Sequence, residues 1–375
     1  MKTGQELYNE HLKRIETAFN LEKPDRTPIC ANGDIALLKY GDPKAVAADF
    51  VRRPDWAAHT VLEGILKLGG GEIDGVSSSA VNPKMSGMIT LAKTKVPGRE
   101  LKEDSLWQVD EIAAMTVEDY DAILDKGWAP WFDEYIFGRL GYSRDDLKEF
   151  LSVRDRATAE RTEAGVVLIL NGGPSATTPF NMLVGGRGLV NIARDMRKIP
   201  EKLEAVIKVI TDENVATLKK QLQAGGIHAV FSGGARASGD YISEKAFERF
   251  VWPTTQVTTN TIIECGSRTW FHLDSNWESR LKYFTEFPKA KCIFDPDGLT
   301  NIFKIKEVLG DRMCITGDIP PALLSIGTKD EVYKYATTLI NEIGPEGFIM
   351  SAGCCIPPNA KPENMEAVVA ACLGK

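Results

Sequence analysis

Eight short, β-rich apolar runs alternate with long amphipathic helical patterns along this chain, and few folds accommodate that alternation. The runs are 28–32, 73–78, 166–171, 227–232, 269–273, 291–294, 312–316 and 347–351. A strand that reaches its neighbour through a helix pairs with it in parallel, and strand twist makes the connection right-handed. Eight such units close naturally into a (β/α)8 TIM barrel, an α/β fold whose reactive residues sit on the loops after the strands. Polar and glycine-rich stretches fall in those places. They are Ala31-Asn-Gly-Asp34, Ser77-Ser-Ser79, Asn171-Gly-Gly-Pro174, Ser232-Gly-Gly-Ala235, His272-Leu-Asp-Ser-Asn276, Asp295-Pro-Asp-Gly298, Gly317-Asp-Ile-Pro320 and Gly353-Cys-Cys355. An open, doubly wound sheet is the alternative topology.

Two segments depart from the alternation. Residues 1–27 carry a helical pattern from Leu7 to Leu21 and are expected to form an N-terminal helical cap. Residues 88–108 alternate and turn at Pro97-Gly98, which predicts a β-hairpin inserted after the second strand. Between 117 and 162, two or three helices and no strand are expected. No repeat, low-complexity stretch or linker interrupts the chain, so residues 1–375 read as a single domain.

With 43% hydrophobic residues the chain can bury a large core. A net charge of −7, a pI near 5.4 and the lack of a basic stripe argue against a nucleic-acid partner. No apolar run is long enough to span a membrane, and the first residues lack the apolar centre of a signal peptide. The seven cysteines are an odd number and widely scattered, which suits free or metal-bound thiols in a reducing cytoplasm. Whether the chain forms a homo-oligomer is left open.

The residues able to carry chemistry gather on two loops. In Trp270-Phe-His-Leu-Asp-Ser-Asn276, His272 and Asp274 are two apart, which puts both side chains on one side of an extended strand. Taken alone, such a pair more often orients a loop than binds a metal. Cys354 and Cys355 follow the last apolar run and precede a Pro-Pro turn. Buried cysteine is commonly inert packing, but a strand-end position weakens that reading. Adjacent residues on extended backbone point in opposite directions, so at most one of the two should face a cleft. If both strand ends share a cleft, His272, Asp274 and Cys354 can form a zinc site.

Cys314 shares a strand face with Thr316 and Asp318 and could approach Cys354 from beneath, although a mid-strand thiol is more often core. Glu286 ends a helix leading into the next strand, at the opposite mouth, and is rejected as a ligand. The stretch Thr178-Pro-Phe-Asn-Met-Leu-Val-Gly-Gly-Arg-Gly188 reads either as a closely packed helix start or as a pocket wall with Phe180 and Met182 facing a flat ligand. Its glycines match neither a dinucleotide fingerprint nor a phosphate loop, and no Gly-x-Ser-x-Gly elbow is present. No nicotinamide, flavin or nucleoside triphosphate is therefore expected.

Taken together these residues resemble the uroporphyrinogen decarboxylase superfamily, in particular its cobamide-dependent methyltransferase branch, such as the methyltransferase I component of O-demethylase systems. The resemblance is carried by Asn171-Gly-Gly-Pro174 with Leu183-Val-Gly185, by His272-Leu-Asp274, by the run from Gly317 to Thr328, and by Gly353-Cys-Cys-Ile-Pro-Pro through Glu363-Asn364. It implies a barrel with its site at the C-terminal mouth. Decarboxylases of this family carry Met-Arg-Gln-Ala-Gly-Arg after the first strand to grip an acidic porphyrinogen. The corresponding loop here, Cys30-Ala-Asn-Gly-Asp-Ile-Ala-Leu, has no arginine and an acid at Asp34, which disfavours decarboxylation. Thiol methyltransferases of the family show His-x-Cys and a later cysteine as zinc ligands. His272 and Cys354 match that pattern, whereas Asp274 replaces the middle cysteine.

A carboxylate leaves zinc harder than a thiolate does, and so more attracted to oxygen. The resemblance thus implies transfer of a methyl group from a methyl ether, an aryl one above all, to the Co(I) corrinoid of a separate carrier protein. The chain has no Asp-x-His-x-x-Gly motif of its own for binding that group. Phe180, Met182, Trp128 and Trp131 are candidate ring walls, and Asn171, Asn276 and Asp318 are candidate partners for ring substituents. The competing readings are methyl transfer to a thiol of the coenzyme M type, uroporphyrinogen decarboxylation, and a non-catalytic corrinoid-binding or scaffold protein.

Overall fold

The computed structural model describes residues 2–77, 83–110, 112–170 and 175–375. It is an α/β structure in which helices surround parallel strands. Among the described residues the strands are β1 (Gly75–Val76), β2 (Lys93–Lys95), β3 (Gln108–Asp110), β4 (Val167–Leu168), β5 (Ala229–Gly233), β6 (Arg268–Leu273), β7 (Cys292–Pro296), β8 (Cys314–Ile319) and β9 (Phe348–Ala352). Strands β5 to β9 lie side by side in chain order and all pair in parallel, as the helical crossovers require. Strands β1 and β4 form a second parallel pair.

Backbone bonds connect these two groups. Met350 N–H donates to Pro28 O and Cys30 N–H to Met350 O, both at 2.9 Å, while Ala31 N–H donates to Gly75 O at 3.0 Å. Residues 28–31 therefore lie between β9 and β1. On the other side, Ala229 N–H reaches Ile169 O at 3.3 Å and Ala176 N–H reaches Phe231 O at 2.7 Å, which sets β4 beside β5. Seven of the eight predicted runs overlap a strand; the run at 28–32 contributes parallel bridges at Ile29 and Cys30 instead. Ser78 and Asn171, the predicted ends of two runs, lie outside the described residues.

Side chains alternate across each strand and so divide the core. In β6, Trp270 turns inward to Cys30, Val167, Ala229, Ile293, Cys314 and Ile349, while Phe271 and Leu273 turn outward to the helices. The helix Gly4–Phe19 starts with a capping box in which Thr3 and Glu6 bond each other's backbone N–H. Its buried Ile15, Ala18 and Phe19 pack against the inward cluster.

Residues 117–162 hold three helical stretches and no strand, as expected: Glu118–Lys126, then Trp128–Asp133 continued by the π-helical Glu134–Arg139, then Arg144–Glu163, with Gly127 at φ 87° separating the first two. One expectation needs correction. The alternating stretch from 88 is not strand at its start, since Pro83–Thr90 coils into a 3-10 helix. The antiparallel pair is instead β2 with β3, and the chain turns at Gly98 (φ 77°), whose N–H donates to Leu101 O. No helix among the described residues is long and apolar enough to cross a membrane.

Candidate metal centre and substrate cavity

The parallel register of β6 and β7 sets His272 opposite Asp295. His272 Nδ1 lies 2.7 Å from Asp295 Oδ2, which also accepts from Trp270 Nε1 at 2.8 Å. The other carboxylate oxygen accepts from Thr316 Oγ1 at 2.6 Å. Asp295 is thus fixed on three sides and holds the imidazole with Nε2 facing outward. Asp274 Oδ1 stands 3.4 Å from that nitrogen. The loop carrying Asp274 is tied down by Ser275 N–H to Asp297 Oδ2 and by Trp277 Nε1 to Asp274 O. Burial alone would depress the His272 pKa, but the carboxylates of Asp295 and Asp274 outweigh it and hold the imidazole well above its ordinary value.

Cys354 arrives from the end of β9. Gly353 N–H donates to Ile319 O, and a Cβ on Gly353 would stand 2.7 Å from Asp297 O, so glycine is needed for that approach. Three residues beyond Gly353, Ile356 N–H donates to Asn32 O at 2.7 Å, where Gly33 adopts φ 146° directly against Ile356. The chain is no longer extended here, and both Cys354 and Cys355 line the cavity. The expectation that at most one faces it is therefore overturned. The two neighbouring thiols act on each other's titration: Cys354 draws Cys355 down to about 7, while Cys355 and burial raise Cys354.

The ligand atoms of His272, Asp274 and Cys354 all lie within 4.8 Å of one another. One imidazole, one carboxylate and one thiolate, with the imidazole oriented by a further carboxylate, is a donor set suited to zinc with a position left open. Cys314 is not among them. It sits at the start of β8 in the apolar inward cluster, fully buried, and burial pushes its thiol far above the ordinary range. Glu286 bonds Gln256 on the outer surface.

A cavity of about 480 Å³ opens over this cluster. Its apolar walls include Ile35, Phe50, Leu106, Trp107, Phe231 and Trp270, and its polar ones include Asn32, Asp34, Ser77 and Ser175. Several proposed wall residues lie elsewhere. Phe180 is fully buried in the layer between strands and helices, and Met182 packs against that layer. Trp128 and Trp131 stack on each other at 5.4 Å in the helical layer, with Trp131 Nε1 bonded to Asp119. Asn276 caps a short turn through Glu278 N–H. Asp318 accepts from Tyr335 Oη, and burial raises its pKa to about 6. Asn171 lies outside the described residues. Sequence reasoning missed Asp295 and the aromatic walls; the available signal for Asp295 was an acid closing the apolar run Cys292-Ile-Phe.

The curated uroporphyrinogen decarboxylase of Syntrophotalea carbinolica is 24% identical over 220 residues, covering 57% of this chain and 61% of that protein. The one from Chlorobium phaeobacteroides is 26% identical over 245 residues, covering 62% and 64%. The chain thus spans less than two thirds of these relatives' length. Among solved structures, a methyltransferase from Methanosarcina mazei shares the fold with a TM-score of 0.64 at 17% identity, covering 96% of this chain and 97% of that one. Residues 137–373 match the family described as Uroporphyrinogen decarboxylase (URO-D), and the chain belongs to that family.

Proposed function

We propose that this protein is a zinc-dependent methyltransferase moving a methyl group from a methoxylated substrate, an aryl methyl ether above all, to the corrinoid of a separate carrier protein. The observation that carries this reading is the meeting of His272, Asp274 and Cys354 beside a largely apolar cavity. We further read the fold as one domain, a (β/α)8 barrel closed by the backbone bonds of residues 28–31. In that reading Gly4–Phe19 is its cap and β2–β3 an insertion, and the protein acts in the cytoplasm.

His272, Asp274 and Cys354 would hold the metal, with Asp295 fixing the tautomer and orientation of the imidazole. Bound there, a zinc ion would supply Lewis acidity toward the ether oxygen. The methyl group passes to the acceptor and the oxygen departs as phenolate. The cavity's aromatic walls orient the ring and exclude water from the bond being broken.

The names of the curated relatives favour decarboxylation as the second reading. Against it stands a cavity wall with Asp34 and no lysine or arginine among its described residues, a poor match for a polyanionic tetrapyrrole. Incubation of the protein with a methoxyarene panel and reduced corrinoid protein, following the cobalt spectrum, tests the proposal. Methyl-corrinoid formation that stops in His272→Ala supports it. Methylation of thiols with methoxyarenes untouched, or carbon dioxide release from uroporphyrinogen, would replace it.

A further inference from the structure

We propose that Cys354 and Cys355 form an oxidative modification site, where a peroxide joins the adjacent thiols in a disulfide that takes the metal cluster apart. The proposal rests on the metal reading of His272, Asp274 and Cys354, not on the methyl-transfer reaction. Of the seven cysteines these two alone are exposed; Cys265 is half-buried and the other four are buried. Both line the cavity over the cluster, so a small oxidant reaches them from the open side. Their sulfurs are near enough to interact directly. Only Cys354 belongs to the ligand cluster, which leaves Cys355 as a thiol beside the site with no part in holding the ion.

The backbone sets this pair apart from an ordinary structural disulfide. The chain bends at Gly353 and Cys354 and is pinned on both sides, by Gly353 N–H to Ile319 O and by Ile356 N–H to Asn32 O. Adjacent Cα atoms stand about 3.8 Å apart, below the roughly 4.4–6.8 Å of relaxed disulfides. A bond here is therefore strained, and a strained, exposed disulfide is readily reduced again. With Cys354 committed to the ion, Cys355 meets the peroxide first. Its sulfur takes one peroxide oxygen as the O–O bond breaks, giving a sulfenic acid and water. The Cys354 sulfur then attacks that of Cys355. The S–S bond forms, the S–O bond breaks, and the hydroxide leaves as water on taking up a proton. Two electrons have passed from the sulfurs to the peroxide. A disulfide sulfur has lost the thiolate charge that zinc requires, so the ion departs from His272 and Asp274.

The test treats the zinc-supplied full chain with limiting hydrogen peroxide at neutral pH. Zinc release is followed with a chromophoric indicator, and the thiols are mapped by alkylation and fragmentation mass spectrometry. The expected result is a disulfide between Cys354 and Cys355, bound zinc lowered at least about tenfold, and recovery of both thiols and zinc on adding a dithiol reductant and fresh ion. The metal-free chain should form the bond faster, because no ion holds Cys354, and Cys355→Ser should release zinc several-fold more slowly than the wild type. The proposal is overturned if both thiols still alkylate after treatment, if Cys355 passes to a sulfinic acid with no bond to Cys354, if the bond forms with zinc retained, or if Cys355→Ser loses zinc as fast as the wild type. A chain that forms the bond yet took up no zinc beforehand refutes the metal reading, and the dismantling of the cluster falls with it. Zinc uptake without the bond refutes the modification site alone.

Discussion

Replacing Asp295 with asparagine isolates the contribution of a carboxylate that stands behind the imidazole and is not itself in the ligand cluster. Asparagine keeps the shape. Its Oδ1 can still accept from Trp270 Nε1 and His272 Nδ1, and its Nδ2 can donate to Thr316 Oγ1, whose hydroxyl rotates to accept. What disappears is the negative charge 2.7 Å behind the imidazole, which makes Nε2 a stronger donor to a cation. Losing such a carboxylate weakens metal affinity by about 10- to 100-fold, or about 1.4–2.7 kcal/mol. Competition with a chromophoric chelator measures the affinity directly, and the near-ultraviolet circular dichroism of the neighbouring Trp270 reports whether the site kept its form. A variant with the native spectrum whose zinc affinity stays within twofold of the wild type would refute the role given to Asp295.

Three more outcomes are expected. Cys354→Ser should lower zinc content at least tenfold while Cys355→Ser keeps it, because only Cys354 belongs to the ligand cluster; metal analysis of both proteins decides, and the reverse pattern would reassign the sulfur ligand. Burial holds Asp318 at about 6 in the folded chain against 3.8 as the reference, so its stabilising contribution is complete below about 3.8 and is lost as pH rises through 6. Asp318→Asn, which still accepts from Tyr335, should therefore gain on the wild type by on the order of 2–3 kcal/mol between pH 4 and 7 in urea titrations. Gly33→Ala would place a Cβ 2.6 Å from the Ile356 Cβ at φ 146°; a loss of roughly 1–3 kcal/mol in thermal unfolding, with weaker zinc binding through the displaced Cys354 loop, is expected.

How much of this was legible in the sequence depended on the range of the interaction involved. Strand positions followed from local apolar periodicity, and the pairing of His272 with Asp274 from the two-residue repeat of one strand. Asp295 acquires its role only through the register between β6 and β7, a long-range property that neither strand encodes by itself. The aromatic walls failed for a related reason. Phe50 comes from the short helix Asp49–Arg52, and Leu106 and Trp107 from the irregular segment before β3, whose placement over the cavity depends on tertiary packing. Phe180, chosen for its position after a glycine turn, is drawn into the core on the inner side of the helix Pro179–Arg187. The two thiols escaped the alternation rule because Gly353 ends the extended backbone just before them.

The packing of Ile15, Ala18 and Phe19 beneath the inward side chains has a kinetic consequence. With its floor filled by the first helix, the cavity is served from the loop side, where under the proposed methyl transfer both a small donor and a bulky carrier protein would have to come in. The donor would then have to be seated first, and its demethylated remnant would stay trapped until the carrier withdrew. Turnover would follow a compulsory order, with the spent ring held back by an excess of acceptor protein.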